Sequence, residues 1–143
     1  MNDERVPPPA VRPVIDHVAL QTANFDAAVD FYTRVLGAEL IERRQFKRRR
    51  MAWLRLGDVR LELFSAREGE TLVPWSDFTS GPVHLALRVP NLDEFLKQAV
   101  ACGARFHPSH PGPFTPPVAG ARPIAYLLGP DGEEVEIRDE LPQ

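Results

Sequence analysis

Residues 16–40, "DHVALQTANFDAAVDFYTRVLGAEL", and residues 83–106, "VHLALRVPNLDEFLKQAVACGARF", are two versions of one pattern. His84 stands 67 residues after His17, and Asn91 stands 67 after Asn24. Each stretch opens with alternating residues of a strand. In the first, Val14, Asp16, Val18 and Leu20 point one way and Ile15, His17, Ala19 and Gln21 the other, because successive strand side chains alternate faces. An amphipathic helix follows in both. Phe25, Ala28, Val29, Tyr32 and Leu36 form one apolar stripe, and Leu92, Phe95, Leu96, Ala99 and Val100 form its counterpart, at or near i, i+3, i+4, i+7 spacing. Asn24 and Asn91 fit the N-cap position, and Gly37 and Gly103 the first position beyond the helix.

The strands after each helix extend the repeat. The first half offers "AELIERRQF", "RMAWLRL" and "VRLELFS", with Gly57 and Asp58 as a tight turn between the last two. The second offers "ARFH", "PIAYLL" and "EEVEIR", with the turn "GPDG" before the final strand. Both halves thus read β-α-β-β-β. The expected layout is a tail over 1–13, a first module over 14–65, a linker over 66–82, a second module over 83–139 and a short tail over 140–143.

Bulk properties set the outer limits. A chain of 143 residues is long enough to bury a core without metal or disulfide staples. With 43% hydrophobic and 26% charged residues and a net charge of −3, it carries no overall bias toward nucleic acid and favours a small-molecule role. The single cysteine, Cys102, has no internal disulfide partner, and no apolar run is long enough for a membrane span, so a cytoplasmic protein is expected. Fifteen prolines gather near the start and in "HPSHPGPFTPP", residues 107–117, which reads as a long loop.

The last strand of each half places one glutamate between apolar neighbours: Glu62 between Leu61 and Leu63, Glu136 between Val135 and Ile137. A single such glutamate reads as the solvent face of a half-buried sheet, and a single strand histidine as structural. Two imidazoles and two carboxylates on equivalent positions of a duplicated unit read instead as ligands for a borderline or hard divalent metal. Nitrogen and oxygen ligation leaves nickel, cobalt, zinc, manganese and iron open.

Four further features carry two readings each. The Gly57-Asp58 turn pairs Trp53 with Glu62, making Trp53, Met51 and Arg55 candidates for the substrate-binding wall, with ordinary core packing as the alternative for Trp53. "RRQFKRRR", residues 43–50, is either an anion site or, preferably, a solvated edge hairpin. His107 and His110 are flanked by prolines that forbid a helical metal-binding pair, so they read as loop histidines. Trp75 and Phe78 either cover the linker or cap a pocket.

The stretches "DHVAL", "FYTRVLGAEL", "LELF", "VHLALRV" and "GPDGEEVEI" resemble the vicinal oxygen chelate superfamily, which includes glyoxalase I, methylmalonyl-CoA epimerase, extradiol dioxygenases, fosfomycin-resistance proteins and bleomycin-binding proteins. The likeness runs from Val14 to Asp139, with Gly129 in place of the first aspartate of the family's Asp-Pro-Asp-Gly turn. It implies an α+β fold in which two βαβββ modules pair into a cup-shaped, partly open β-barrel with the helices outside. It also implies metal ligands at His17, Glu62, His84 and Glu136, a quartet similar to that of glyoxalase I. The epimerase has glutamine at the position of Glu62, and dioxygenases and fosfomycin-resistance enzymes use two histidines and one glutamate. The implied function is a metal-dependent lyase or isomerase that works through an enediolate, with Glu136 as principal base and Glu62 as the second candidate. Epimerase, dioxygenase and non-catalytic antibiotic-binding functions stand as alternatives. The cup is completed either by the two halves of one chain or by halves of two, and the resemblance favours a homodimer with two sites at the subunit interface, each taking His17 and Glu62 from one chain and His84 and Glu136 from the other.

Overall fold

The computed structural model describes residues 5–8 and 10–140. The tails expected over 1–13 and 140–143 lie largely outside or at the edges of that range. In chain order the elements are β1 (His17–Thr22), α1 (Phe25–Asp30), a π-helical turn (Phe31–Val35), β2 (Glu39–Phe46), β3 (Arg49–Leu56), β4 (Val59–Ser65), β5 (His84–Val89), α2 (Leu92–Ala101), β6 (Ile124–Leu128) and β7 (Glu134–Asp139). The strands form two sheets, in the orders β1-β4-β3-β2 and β5-β7-β6. Neither closes into a barrel, and the whole is the open-cup α+β arrangement that the resemblance implies.

The repeat is written in the pairing. β1 runs parallel to β4 with Ala19 opposite Glu62, and β5 runs parallel to β7 with Ala86 opposite Glu136. A third strand lies antiparallel on the far side of each glutamate strand, β3 on β4 and β6 on β7. Gly57, with φ 61°, makes the two-residue turn that fixes Leu56 opposite Val59 and Trp53 opposite Glu62. The β2–β3 turn does the same without glycine: Lys47 and Arg48 both take positive φ, 45° and 67°, a conformation that side chains other than glycine adopt at some cost.

One core joins the halves. Phe25, Val29 and Tyr32 pack with Leu92, Leu96 and Ala99 of α2 and with Leu54, Leu61, Leu63, Leu127, Val135 and Ile137 from both sheets. All five stripe residues of the first helix are buried. In the second stripe Val100 is an exception, about half exposed. Truncating a fully buried leucine such as Leu54 in a core of this kind costs about 2–5 kcal/mol.

Three local expectations are corrected. "ARFH" does not form a strand: only Phe106 bridges to Leu127, and Phe114 to Ile124. The loop after Phe106 holds Pro108, Pro111, Pro113, Pro116 and Pro117, whose missing N–H groups interrupt any ladder. Asn91 caps α2 by accepting from the Glu94 N–H at 3.1 Å, but Asn24 does not cap α1 and its amide donates to the Pro130 carbonyl at 3.3 Å. The first helix also slips into a π turn, where Leu36 N–H bonds back to Phe31 and the Thr33 hydroxyl occupies the Val29 carbonyl at 2.6 Å.

The turn Gly129–Gly132 ties the modules together. Asp131 accepts from the backbone N–H of Ala23 at 2.7 Å through its side chain and from that of Trp75 at 3.2 Å through its carbonyl. Trp75 is partly buried against the core and lines a cavity beside β1, while Phe78 is 99% exposed. Glycine at 129 has a steric reason: a Cβ there would fall 1.6 Å from Oε1 of Glu133. The Glu133 side chain lies buried in that space, accepting from the Asp131 N–H at 3.2 Å. Burial pushes its carboxyl up to about 7, with the charge of Asp131 also raising it and backbone hydrogen bonds opposing.

Candidate metal centre

His17 opens β1, and Glu62 lies on the neighbouring strand two positions beyond the residue facing it, so the two side chains stand diagonally on one face. Nε2 of His17 is 3.4 Å from Oε2 of Glu62. On the other side of the ring, Nδ1 meets Oδ2 of Asp16 at 2.7 Å. Alternation assigns Asp16 to the opposite face, but the strand begins only at His17, which frees Asp16 to turn back. Asp16 also accepts from Arg60 at 2.6 Å, and the His17 and Arg60 bonds hold its carboxyl below the ordinary range. A carboxylate behind an imidazole fixes which nitrogen faces outward and is the usual support of a metal-binding histidine.

Trp53, directly across from Glu62, meets the His17 ring edge to face at 4.9 Å between centres, and the Arg60 guanidinium lies over its indole. Trp53 is therefore half-buried beside the ligand pair. Met51 shares its face but is buried, and Arg55, opposite Arg60, is exposed.

The second half repeats this diagonal. Nε2 of His84 is 3.9 Å from Oε2 of Glu136. In the place of Trp53 stands Tyr126, opposite Glu136, whose hydroxyl donates to Oε1 at 3.2 Å. Burial and the adjacent Glu136 charge raise the Tyr126 phenol, so it stays a donor. Arg138 approaches Oε2 at 3.6 Å. The proline loop then adds a wall: His110 stacks on Phe114 at 4.2 Å and leans on Tyr126 at 5.2 Å. His107 bonds Ser109 at 2.8 Å and approaches Glu134, the residue facing His84, at 3.6 Å. Tyr126 is the residue sequence reasoning missed, although its place in the repeat matches that of Trp53.

Two donors bound to one divalent ion at about 2.1 Å each stand roughly 3 to 3.5 Å apart. The His17–Glu62 separation of 3.4 Å meets that, and 3.9 Å for His84–Glu136 needs only a small rotamer adjustment. The donor chemistry therefore fits a divalent metal. Within one chain, however, the candidate ligands meet only as two pairs on two sheets: among the described residues no three histidine, cysteine, aspartate or glutamate side chains are placed to hold one metal ion. A cavity of about 270 Å³ along the free edge of β1, walled by Ala19, Gln21, Trp75 and Asp131 among others, contains none of the four.

This duplicated cup with one histidine and one glutamate per half defines a class, and the sequence comparison names it. Residues 14–137 match the family model of the Glyoxalase/Bleomycin resistance protein/Dioxygenase superfamily, and the chain belongs to that family. No curated protein sequence matches it. Among solved structures it is similar to a glyoxylase/bleomycin resistance protein/dioxygenase domain from Frankia sp. EAN1pec, at 20% identity and TM-score 0.74 over 92% of this chain and 94% of that one. It also resembles a glyoxalase I mutant from Zea mays, at 19% identity and TM-score 0.72, covering 90% of this chain and 45% of the maize chain. The fosfomycin resistance protein FosX from Listeria monocytogenes matches at 16% identity and TM-score 0.69, covering 90% and 94%. At these identities the likeness is one of fold. Among the described residues no helix is long and apolar enough to cross a membrane.

Proposed function

We propose that this chain is a metal-dependent lyase or isomerase of the glyoxalase I type, acting on a small carbonyl compound or its thiol adduct through an enediolate. The observation that carries the reading is the diagonal His–Glu pair found twice at equivalent register, His17 with Glu62 and His84 with Glu136. Because the pairs do not meet within one chain, the active unit is a homodimer. Each centre takes His17 and Glu62 from one protomer and His84 and Glu136 from the other, giving two equivalent sites.

A divalent cation held by His17, Glu62, His84 and Glu136 would supply stabilisation of charge on adjacent substrate oxygens. The protein groups handle the proton. Glu136, held by the Tyr126 hydroxyl, accepts a proton from the carbon next to the carbonyl and returns it to the neighbouring carbon. Glu62 faces the substrate from the opposite protomer as the second acid–base group. Trp53 and Arg55 from one protomer and the His110–Phe114–Tyr126 stack from the other supply the walls, with Met51 beneath. The test is elemental analysis of the purified protein followed by turnover of methylglyoxal with thiols under nickel, cobalt, zinc, manganese and iron. About one metal per chain and thiol-dependent turnover are expected under this reading. Bound metal without turnover would move the function to an epimerase, a dioxygenase or a binding protein.

A further inference from the structure

The basic run from Arg43 to Arg50 is not one surface. Arg50 forms a two-pronged contact with Asp26 at 2.7 and 3.1 Å, Arg43 reaches the same carboxylate at 3.9 Å, Arg44 approaches Glu42 at 3.8 Å and Arg48 approaches Glu68 at 3.8 Å. Arg49 differs from all of these. Its guanidinium carbon lies 3.8 Å from the centre of the Phe64 ring, and Nη1 reaches only the amide oxygen of Gln21, at 3.4 Å. Its Nε is buried with no hydrogen-bond partner, and among the described residues Arg49 has no carboxylate partner. A guanidinium without a counter-charge is costly to shield from water.

Its position gives that group a purpose. Gln21 is on the His17 face of β1, and Phe64 is on the Glu62 face of β4, two residues further along. Arg49 therefore lies over the same sheet face as the metal-binding pair, about 7 Å along the strand from Glu62. A planar guanidinium stacked on a ring keeps its outer N–H edge pre-oriented and matches the geometry of a bound oxyanion.

We infer that Arg49 is the anion-recognition residue of the site, so that the substrate carries a carboxylate or a phosphoryl or phosphonate group a few bonds from the carbon that loses its proton. Gln21 offers an amide to the same oxyanion. This inference rests on the proposed His17–Glu62 metal centre.

The experiment uses the full-length, manganese-loaded protein and small hydroxamates, whose two adjacent oxygens chelate the metal. Acetohydroxamate has a neutral tail, malonic and succinic monohydroxamates carry a carboxylate, and phosphonoacetohydroxamate carries a phosphonate. Calorimetric affinities are compared in the native chain, in Arg49→Met, which keeps an apolar stem over Phe64, and in Arg49→Lys. The native protein is expected to bind an anionic hydroxamate about tenfold or more tighter than acetohydroxamate. Arg49→Met loses that gain with acetohydroxamate affinity unchanged, and Arg49→Lys retains part of it. Whichever tail gains most identifies the anion as carboxylate or phosphonate. An equal preference in native and Arg49→Met proteins, or no preference in the native protein, overturns the role of Arg49 while leaving the metal site standing. Failure to bind acetohydroxamate with any of manganese, nickel, cobalt, zinc and iron overturns the metal centre, and this inference with it.

Discussion

The first half of the chain presents its histidine–glutamate pair half-open and backed by a carboxylate; the second buries its glutamate and ties it to a phenol. Glu62 is 15% exposed and, among the described residues, tethered only by His17, whereas Glu136 is 8% exposed and held by Tyr126 and Arg138. Behind His17 stands Asp16, but the residue before His84 is Val83. A duplicated unit has thus diverged in complementary ways, one half orienting an imidazole and the other a carboxylate. In a site built from one half of each protomer, every centre receives both specialisations. That is the physical reason to assign the proton-handling role to Glu136 and the firmest metal anchor to His17.

The largest effect that can break this division is on turnover. Glu136→Gln is expected to keep metal, since an amide oxygen still ligates, while kcat falls roughly 10²–10⁴-fold because the amide is a very poor base. Metal content and steady-state kinetics on the same sample check it, and unchanged turnover removes Glu136 from the mechanism. Next in size is the turn that distinguishes the halves. The Glu133 carboxyl is held near 7 in the folded chain, above its value when unfolded, so the folded state holds the extra proton between those two limits. Stability from this group is present at low pH, falls as pH rises toward about 7, and is constant above; the span is of order 3 kcal/mol at most. Glu133→Gln should flatten that slope and be more stable than the native chain at pH 8 by denaturant unfolding. An unchanged pH slope would refute the assignment.

Smaller still is the carboxylate behind the imidazole. Asp16→Ala should weaken metal binding about 10–100-fold, as loss of a ligand's supporting hydrogen bond does. Competition with a chelator of known affinity measures it, and native-like affinity would make the asymmetry between the halves incidental. Least of all, Tyr126→Phe frees one oxygen of Glu136, with an expected loss of about 5- to 10-fold in kcat and little change in metal affinity. A drop in metal affinity instead would make Tyr126 part of the metal's support.

Duplication made the candidate ligand positions stand out. His17, Glu62, His84 and Glu136 each draw meaning from a twin, and the two-residue turn at Gly57 counts Trp53 into register with Glu62. Tyr126 escaped because the second half reaches its last strand through the longer Gly129–Gly132 turn, which fixes register less simply. Asp16 escaped because alternation holds only inside a strand, and β1 starts one residue later. The run of arginines read as a solvated edge hairpin, because charge alone does not show which side chains find carboxylates; alternation along β3 sends Arg49 and Arg50 to opposite faces. Glu133 has no sequence signal except the glycine at 129 that makes room for it.

The claim that the two half-sites meet across two chains is tested most directly by complementation. A His17→Ala/Glu62→Ala chain and a His84→Ala/Glu136→Ala chain are each purified, mixed, unfolded and refolded together, and assayed for bound metal. Neither variant alone should bind metal. A mixed dimer should regain one intact site, formed by the undamaged first half of one chain and the undamaged second half of the other, alongside one doubly damaged site. Recovery of metal on mixing is the predicted result; no recovery, with mixed dimers present, would place each centre within a single chain and contradict the account.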